Sequence, residues 1–238
     1  IDQAVLMVEQ GADIIDIGGE STRPGAPEVS AEDELKRVLP VIEALSGNID
    51  VPISIDTSKP VVMRRAFDAG ASIINDVYAL RSEGALEMAA SLGADVCLMH
   101  MQGNPRTMQK NPKYDDVVSD VKFFFTERLE ACSAVGIKLE SITLDPGFGF
   151  GKNLAHNIAL LKNLAEFHDF GVSILAGLSR KSMIGSLLGD KEVDSRMIGS
   201  VTAALIAVEN GANIIRAHDV AETKDALTVW QQIKHFRE

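Results

Sequence analysis

Short apolar runs recur along the chain, each followed by a longer stretch with helical spacing. The runs at 13–19 (DIIDIGG), 51–57, 72–77, 95–100, 141–147, 173–179 and 214–219 predict buried strands, being too short for helices and bounded by turn residues. The intervening periodicity predicts helices near 1–10, 30–46, 59–69, 82–92, 115–135, 156–166, 195–210 and 220–236. Gly11-Ala12-Asp13, Gly70-Ala71-Ser72, Gly93-Ala94-Asp95 and Gly211-Ala212-Asn213 each join a helix to the next run. A glycine there can close the last helical turn in the left-handed conformation and release the chain into a strand. Such regular alternation with short joints implies parallel strands and right-handed crossovers.

Seven strands and eight helices, beginning with a helix, fit an α/β fold of the (β/α)8 TIM-barrel type that lacks only its first strand. Ile1 is not an initiator methionine, so the expectation is a single barrel domain over 1–238, truncated at its N-terminus. Within the helices, Ser30 and Asp33 resemble an acidic variant of a capping box. Phe123, Phe124 and Phe125 are contiguous and cannot all face one core, so part of that surface meets either another subunit or a thick helix–barrel contact.

The composition, 46% hydrophobic and 24% charged, suits one domain with a full core. A formal charge of −11 argues against nucleic acid or an anionic membrane surface as partners. An anionic ligand would therefore have to meet a local basic cluster. Cys97 and Cys132 show neither CxxC nor metal spacing and read as reduced core thiols. No run reaches membrane-span length and no signal peptide is visible, which makes the cytoplasm the expected compartment.

Chemistry concentrates at the C-terminal ends of the predicted strands, where ligands bind in such barrels. Asp56, Asn75 and Asp145 form an acceptor-rich group containing an amide. It suits a flat heterocycle with a guanidine-like edge, because parallel N–H donors pair with a carboxylate and an asparagine reads alternating donors and acceptors. Taken singly, each could instead cap a turn. Arg23, Arg180, Lys181, Arg216 and His218 form a basic group. The last two strands of such barrels frequently carry a phosphate site, although Arg180 and Lys181 could also be a solvated helix start. His100, between Met99 and Met101, is either a pocket-wall or a catalytic residue, and no metal triad stands out.

Together the segments DIGGESTRPG (16–25), IDTSKP (55–60), IND (74–76), LMHM (98–101), LDPGFGFGK (144–152), SRK (179–181) and RAHD (216–219) resemble bacterial dihydropteroate synthase. The likeness runs from about Gly11 to the C-terminus, with one motif at each successive strand end. It implies an eightfold α/β barrel that condenses p-aminobenzoate with (7,8-dihydropterin-6-yl)methyl diphosphate, giving dihydropteroate and diphosphate in folate biosynthesis. Carried over by motif, it implies that Asp56, Asn75, Met99, Asp145, Gly177 and Lys181 bind the pterin. Thr22, Arg23, Arg216 and His218 would bind the diphosphate. Thr22, Arg23, Pro24, Phe150, Lys181 and Ser182 would line the p-aminobenzoate side, where sulfonamides compete in the family. Asp56, Asp145, Lys181, Arg216 and His218 would carry catalysis. The resemblance also implies a homodimer and a magnesium ion associated with an asparagine on the family's first strand, so no metal ligand is expected within this chain.

Departure of diphosphate would let positive charge spread into the pterin, stabilised by Asp56 and Asp145, while Arg216, His218 and magnesium stabilise the leaving anion. The expected mechanism is dissociative substitution without a covalent enzyme intermediate. Three rivals share parts of this pattern: a pterin-binding methyltetrahydrofolate–corrinoid methyltransferase, an aldolase using Lys181 as a Schiff base, and an inactive binding barrel.

Overall fold

In the computed structural model, residues 1–23, 25–104 and 107–236 are described. Seven parallel strands form one curled sheet in sequence order: β1 Ile15–Gly18, β2 Ile53–Asp56, β3 Ile73–Asp76, β4 Asp95–Met99, β5 Ile142–Asp145, β6 Ser173–Ala176 and β7 Ile214–Ile215. The helices are α1 Asp2–Glu9, α2 Ala31–Leu45, α3 Pro60–Asp68, α4 Ala85–Leu92, α5 Val117–Ala134, α6 Leu154–Lys162, α7 Ser182–Leu187, α8 Met197–Glu209 and α9 Val220–Lys234. This is the predicted parallel α/β barrel class. Ile53, Ile55, Ile74, Leu98, Leu144 and Ile174 are buried in the strands, as expected where helices cover one face and opposing strands the other.

Two element predictions change. Helix 156–166 becomes α6 followed by a 3-10 segment, Leu164–Phe170. The 214–219 strand shrinks to two residues: the amide of Arg216 still donates to the Ala176 carbonyl of β6, but that of His218 turns to the Ser179 hydroxyl. The short α7, unforeseen in the periodicity, starts directly after Lys181. Ser30 caps α2 by accepting from the Asp33 amide at 3.1 Å, but its hydroxyl donates to the Asp33 carboxylate rather than completing a capping box. In α5 the three phenylalanines separate: Phe125 is fully buried, Phe124 stacks edge-on against His100, and Phe123 is exposed.

Strand register decides which side chains share the interior. Gly18 pairs with Asp56, Asp56 with Asn75, Asn75 with Cys97 and Cys97 with Thr143. Met99 pairs with Asp145, while Leu175 pairs with Ile214. Because side chains alternate with a period of two, the same inner face carries Asp16, Asp56, Asn75, Met99, Asp145, Gly177 and Arg216. Asp16 lies one inward-facing layer below Asp56, and Gly18, at the level of Asp56 on the same strand, places no side chain above it.

Candidate active site

The predicted acidic and basic groups meet in one cup. Arg216 reaches from the β7 edge to the β1 edge, donating from Nε to Asp16 at 2.8 Å and from Nη2 to Asp56 at 3.3 Å. Asn75 donates its side-chain amide to the same Asp16 oxygen at 3.1 Å. Asp145, on the next wall, accepts from the Gly147 amide at 2.8 Å. Met99 and Gly177 are buried beside it, and a Cβ at Gly177 would lie 3.8 Å from both Arg216 and the Lys181 ammonium.

Lys181 arrives from the turn after β6. Its ammonium donates to the Phe148 carbonyl and lies 4.9 Å from the centre of the Phe150 ring. Arg180 before it adopts the left-handed backbone at φ 57°, which costs about 1–2 kcal/mol for a side-chain-bearing residue. That turn is held by the Arg180 amide on Ser200 Oγ at 2.9 Å and by Arg196 on the Arg180 carbonyl at 3.0 Å. The Arg180 guanidinium is not available as an expected phosphate ligand: it forks onto Asp219, with Nε at 3.1 Å from Oδ2. His218 is fixed by Ser179, whose hydroxyl meets its amide at 3.1 Å and its Nδ1 at 2.9 Å.

Thr22 lines a cavity of about 430 Å³ together with Asp56, Lys59 and Tyr78, and Glu20, Ser21, Ala26 and Glu28 line it too. Arg23 is near enough to His218 to disfavour its protonated form. Ser182 opens α7 and is exposed. Pro24 lies outside the described residues.

Burial sets the protonation of this cup. Asp56 is pushed up to about 8, first by desolvation and then by the neighbouring Asp16, against the pull of Arg216. Asp145 also rises through burial, opposed mainly by Lys181. Lys181 falls to about 8 through burial, with Asp145 opposing the shift and Arg216 reinforcing it. His218 is lowered by burial and by the cations Arg180, Arg216 and Arg23. A flat, hydrogen-rich ligand would relieve the desolvated acids, and an anion would relieve the cations.

Four groups escaped the sequence reading. Asp16 joins Asn75 to Arg216, and two-residue alternation from Asp56 through the paired Gly18 would have placed it inside. Lys152 is buried, with Nζ at 2.8 Å from His100 Nδ1 and 3.0 Å from the carbonyls of Gly147 and Phe150. It thus holds the turn that presents Phe148 and Phe150, and His100 is its neutral partner rather than a ligand group, its protonation suppressed by burial and Lys152. Asp76, next to Asn75, accepts from the amides of Tyr78 and Leu80 at 2.8 Å and so supports left-handed Ala79 and Leu80. Lys59 joins Glu20 to the fully buried Glu34, tying the root of the segment after β1 to α2.

The profile of a family described as pterin binding enzyme matches residues 1–218. The chain is 57% identical over 231 residues to dihydropteroate synthase of Escherichia coli (strain K12), covering 96% of this chain and 81% of that one. It is likewise 57% identical over 229 residues to dihydropteroate synthase of Haemophilus influenzae, covering 96% and 83%. The crystal structure of Yersinia pestis dihydropteroate synthase with a sulfonamide drug complex superposes with a TM-score of 0.96 at 52% identity, covering 99% of this chain and 85% of that one. Xanthomonas albilineans dihydropteroate synthase in complex with 7,8-dihydropteroate does so with a TM-score of 0.91 at 47% identity, covering 99% and 84%. An inner face of desolvated acids, an arginine spanning them and this degree of likeness lead to one conclusion: the chain belongs to the pterin binding enzymes, among the dihydropteroate synthases.

Proposed function

We propose that this chain condenses p-aminobenzoate with (7,8-dihydropterin-6-yl)methyl diphosphate, releasing diphosphate and forming dihydropteroate. The observation that carries the reading is Arg216 resting on Asp16 and Asp56 inside the cup, which puts acid and base groups within reach of one small molecule. Related structures hold 4-aminobenzoic acid and 7,8-dihydropteroate, in keeping with these substrates. The likeness to proteins named dihydropteroate synthase favours this over the methyltransferase, aldolase and inactive-barrel alternatives.

In this reading Asp56, Asn75 and Asp145 receive the pterin edge between Met99 and Gly177, with Lys181 donating to the ring. Arg216 and His218, helped by Thr22 and Arg23 from the segment after β1, take the diphosphate. The bond from the exocyclic carbon to the diphosphate oxygen breaks and its electrons leave with the diphosphate. Positive charge spreads into the ring, facing Asp56 and Asp145, which are held as carboxylates once the N–H donors of the pterin edge pair with them. These charges are in place beforehand, which is where enzymes gain most of their electrostatic rate enhancement. The p-aminobenzoate amine, lying toward Phe150, Lys181 and Ser182, then bonds to that carbon and sheds a proton.

Magnesium, which the sequence resemblance implies, binds mainly through substrate phosphates and few protein groups. Among the described residues no three histidine, cysteine or carboxylate side chains converge to hold a metal ion. A magnesium ion in this reading would be held chiefly by the diphosphate of the substrate and would share the leaving group's charge with Arg216 and His218. A homodimer belongs to the same reading, supported by exposed Ile198 on α8 and by Val229 and Ile233 on α9. So does a cytoplasmic location, supported by two free, buried cysteines. No helix among the described residues is long and apolar enough to cross a membrane.

The test is diphosphate release from the pterin substrate with and without p-aminobenzoate. Release in the absence of the amine supports departure before attack, and no release under either condition defeats the assignment. Asp145→Asn should lower kcat/KM for the pterin substrate at least about tenfold by removing a charged acceptor. Unchanged kinetics would remove Asp145 from the role.

A further inference from the structure

We infer that Asp16 is a positioning residue that couples the pterin-reading Asn75 to the diphosphate-binding Arg216 through one carboxylate oxygen. The inference rests on the reading of the site given above. Both contacts end on Asp16 Oδ2: Asn75 Nδ2 at 3.1 Å and Arg216 Nε at 2.8 Å. Each leaves its donor with a defined orientation. An asparagine whose NH2 group is spent on a carboxylate turns its carbonyl oxygen away from that carboxylate, so Asn75 can offer an acceptor to the heterocycle. An arginine gripped at Nε keeps most of its fork free, and among the described residues its further contact is from Nη2, at 3.3 Å from Asp56. The remaining donors can face an anion while Nε stays anchored.

The position of Asp16 makes this possible. It stands one inward layer below Asp56 on the edge strand β1, and Gly18 above it has no side chain to separate it from Asn75 or Arg216. A Cβ at Gly18 would already press on Asp56, at 3.3 Å from its Cβ. The other oxygen of Asp16, Oδ1, is buried and has no hydrogen-bond partner among the described residues. A buried acceptor left unsatisfied is unfavourable for the fold. The residue thus gives the core little that an isosteric amide would not, while organising two groups that face ligand. Stability and ligand binding should accordingly respond differently to its replacement.

The experiment compares the whole enzyme with Asp16→Asn, alone and combined with Asn75→Ala or Arg216→Ala. Dissociation constants are measured for bare 6-hydroxymethyl-7,8-dihydropterin and for inorganic diphosphate, beside the KM for p-aminobenzoate and the melting temperature. Asp16→Asn should weaken both ligands about tenfold or more, since each loses a charge-anchored group, with melting temperature and p-aminobenzoate KM held. In the Asn75→Ala background its effect on the pterin should shrink to within about twofold, and in the Arg216→Ala background so should its effect on diphosphate. Wild-type affinity for both ligands in Asp16→Asn overturns the inference. So do undiminished losses in both double variants, or a variant that fails to fold, because either would make Asp16 a structural group. If the unmutated enzyme binds neither probe, the proposed function falls as well, which separates the two failures.

Discussion

At the scale of single residues, the site is an exercise in holding charges where water would hold them better. Asp56 shows the conflict most clearly. Its carboxyl is raised from 3.8 to about 8, with burial the largest cause and Asp16 the next. The unfolded chain releases this proton near pH 4, whereas the folded chain keeps it until near pH 8. The stabilising contribution of the protonated form is therefore complete below about pH 4 and is lost as pH rises toward 8. Asp56→Asn should melt a few degrees higher than wild type at pH 8, with the difference closing toward pH 4, while pterin turnover collapses. Melting curves taken across that range check it; a pH-independent gap would show that Asp56 is not the titrating group. The same tension explains Lys181, whose ammonium burial pushes down to about 8 although Asp145 pulls it back. Arg216 and Asp16 were less legible as individuals. Arg216 stands in a basic motif, yet its guanidinium lies on two acids from strands far away in sequence.

At the scale of elements, each functional side chain is delivered by a strand end and steadied by the loop that follows it. The Gly-rich turn after β5 is the clearest case. Gly147 sits at φ 71°, and a Cβ there would overlap the His100 carbonyl oxygen, so only glycine lets the turn pass under β4. Lys152 then fastens the turn from inside. The segment after β1 is tied differently, with Glu20 accepting the Val29 amide at 3.0 Å and Lys59 from the start of α3 joining Glu20 to Glu34. Glu34 is fully buried, so removing its cation leaves an uncompensated charge. Lys59→Met should cost about 3–5 kcal/mol, and adding Glu34→Gln should recover much of it, as read by urea unfolding. If the double variant is as weak as the single one, the buried pair is not what holds this loop root. Sequence alone showed where these loops begin, through Gly, Pro and polar punctuation. Glu20 and Lys59 stood out only as members of their motifs and Glu34 not at all, because ion pairs formed across separate elements leave no local pattern.

At the scale of the whole molecule, the curl of the sheet brings its first and last strands near enough for side chains to reach across. Arg216 and Asp16 meet across that seam, and Lys224 of α9 adds an exposed pair to Asp13 at 2.9 Å. The outer surface of α8 and α9 keeps Ile198, Val229 and Ile233 in solvent. In the homodimer proposed above, Ile198→Glu combined with Ile233→Glu should yield monomers by sedimentation velocity, with the fold retained by circular dichroism. A wild-type chain already monomeric at micromolar concentration would remove the dimer from the proposal. Repeated apolar runs, glycine joints and one polar motif per strand end determined the α/β class, the strand order and the neighbourhood of Asp56, Asn75, Asp145 and Lys181, because backbone periodicity and turn chemistry are local. The tertiary structure alone decided that Arg180 is spent on Asp219, that His100 serves Lys152, and that Asp16 joins the two halves of the cup. Those outcomes depend on which side chains a curled sheet brings within about 3 Å of one another, the hydrogen-bonding range, and no spacing along the chain encodes that distance.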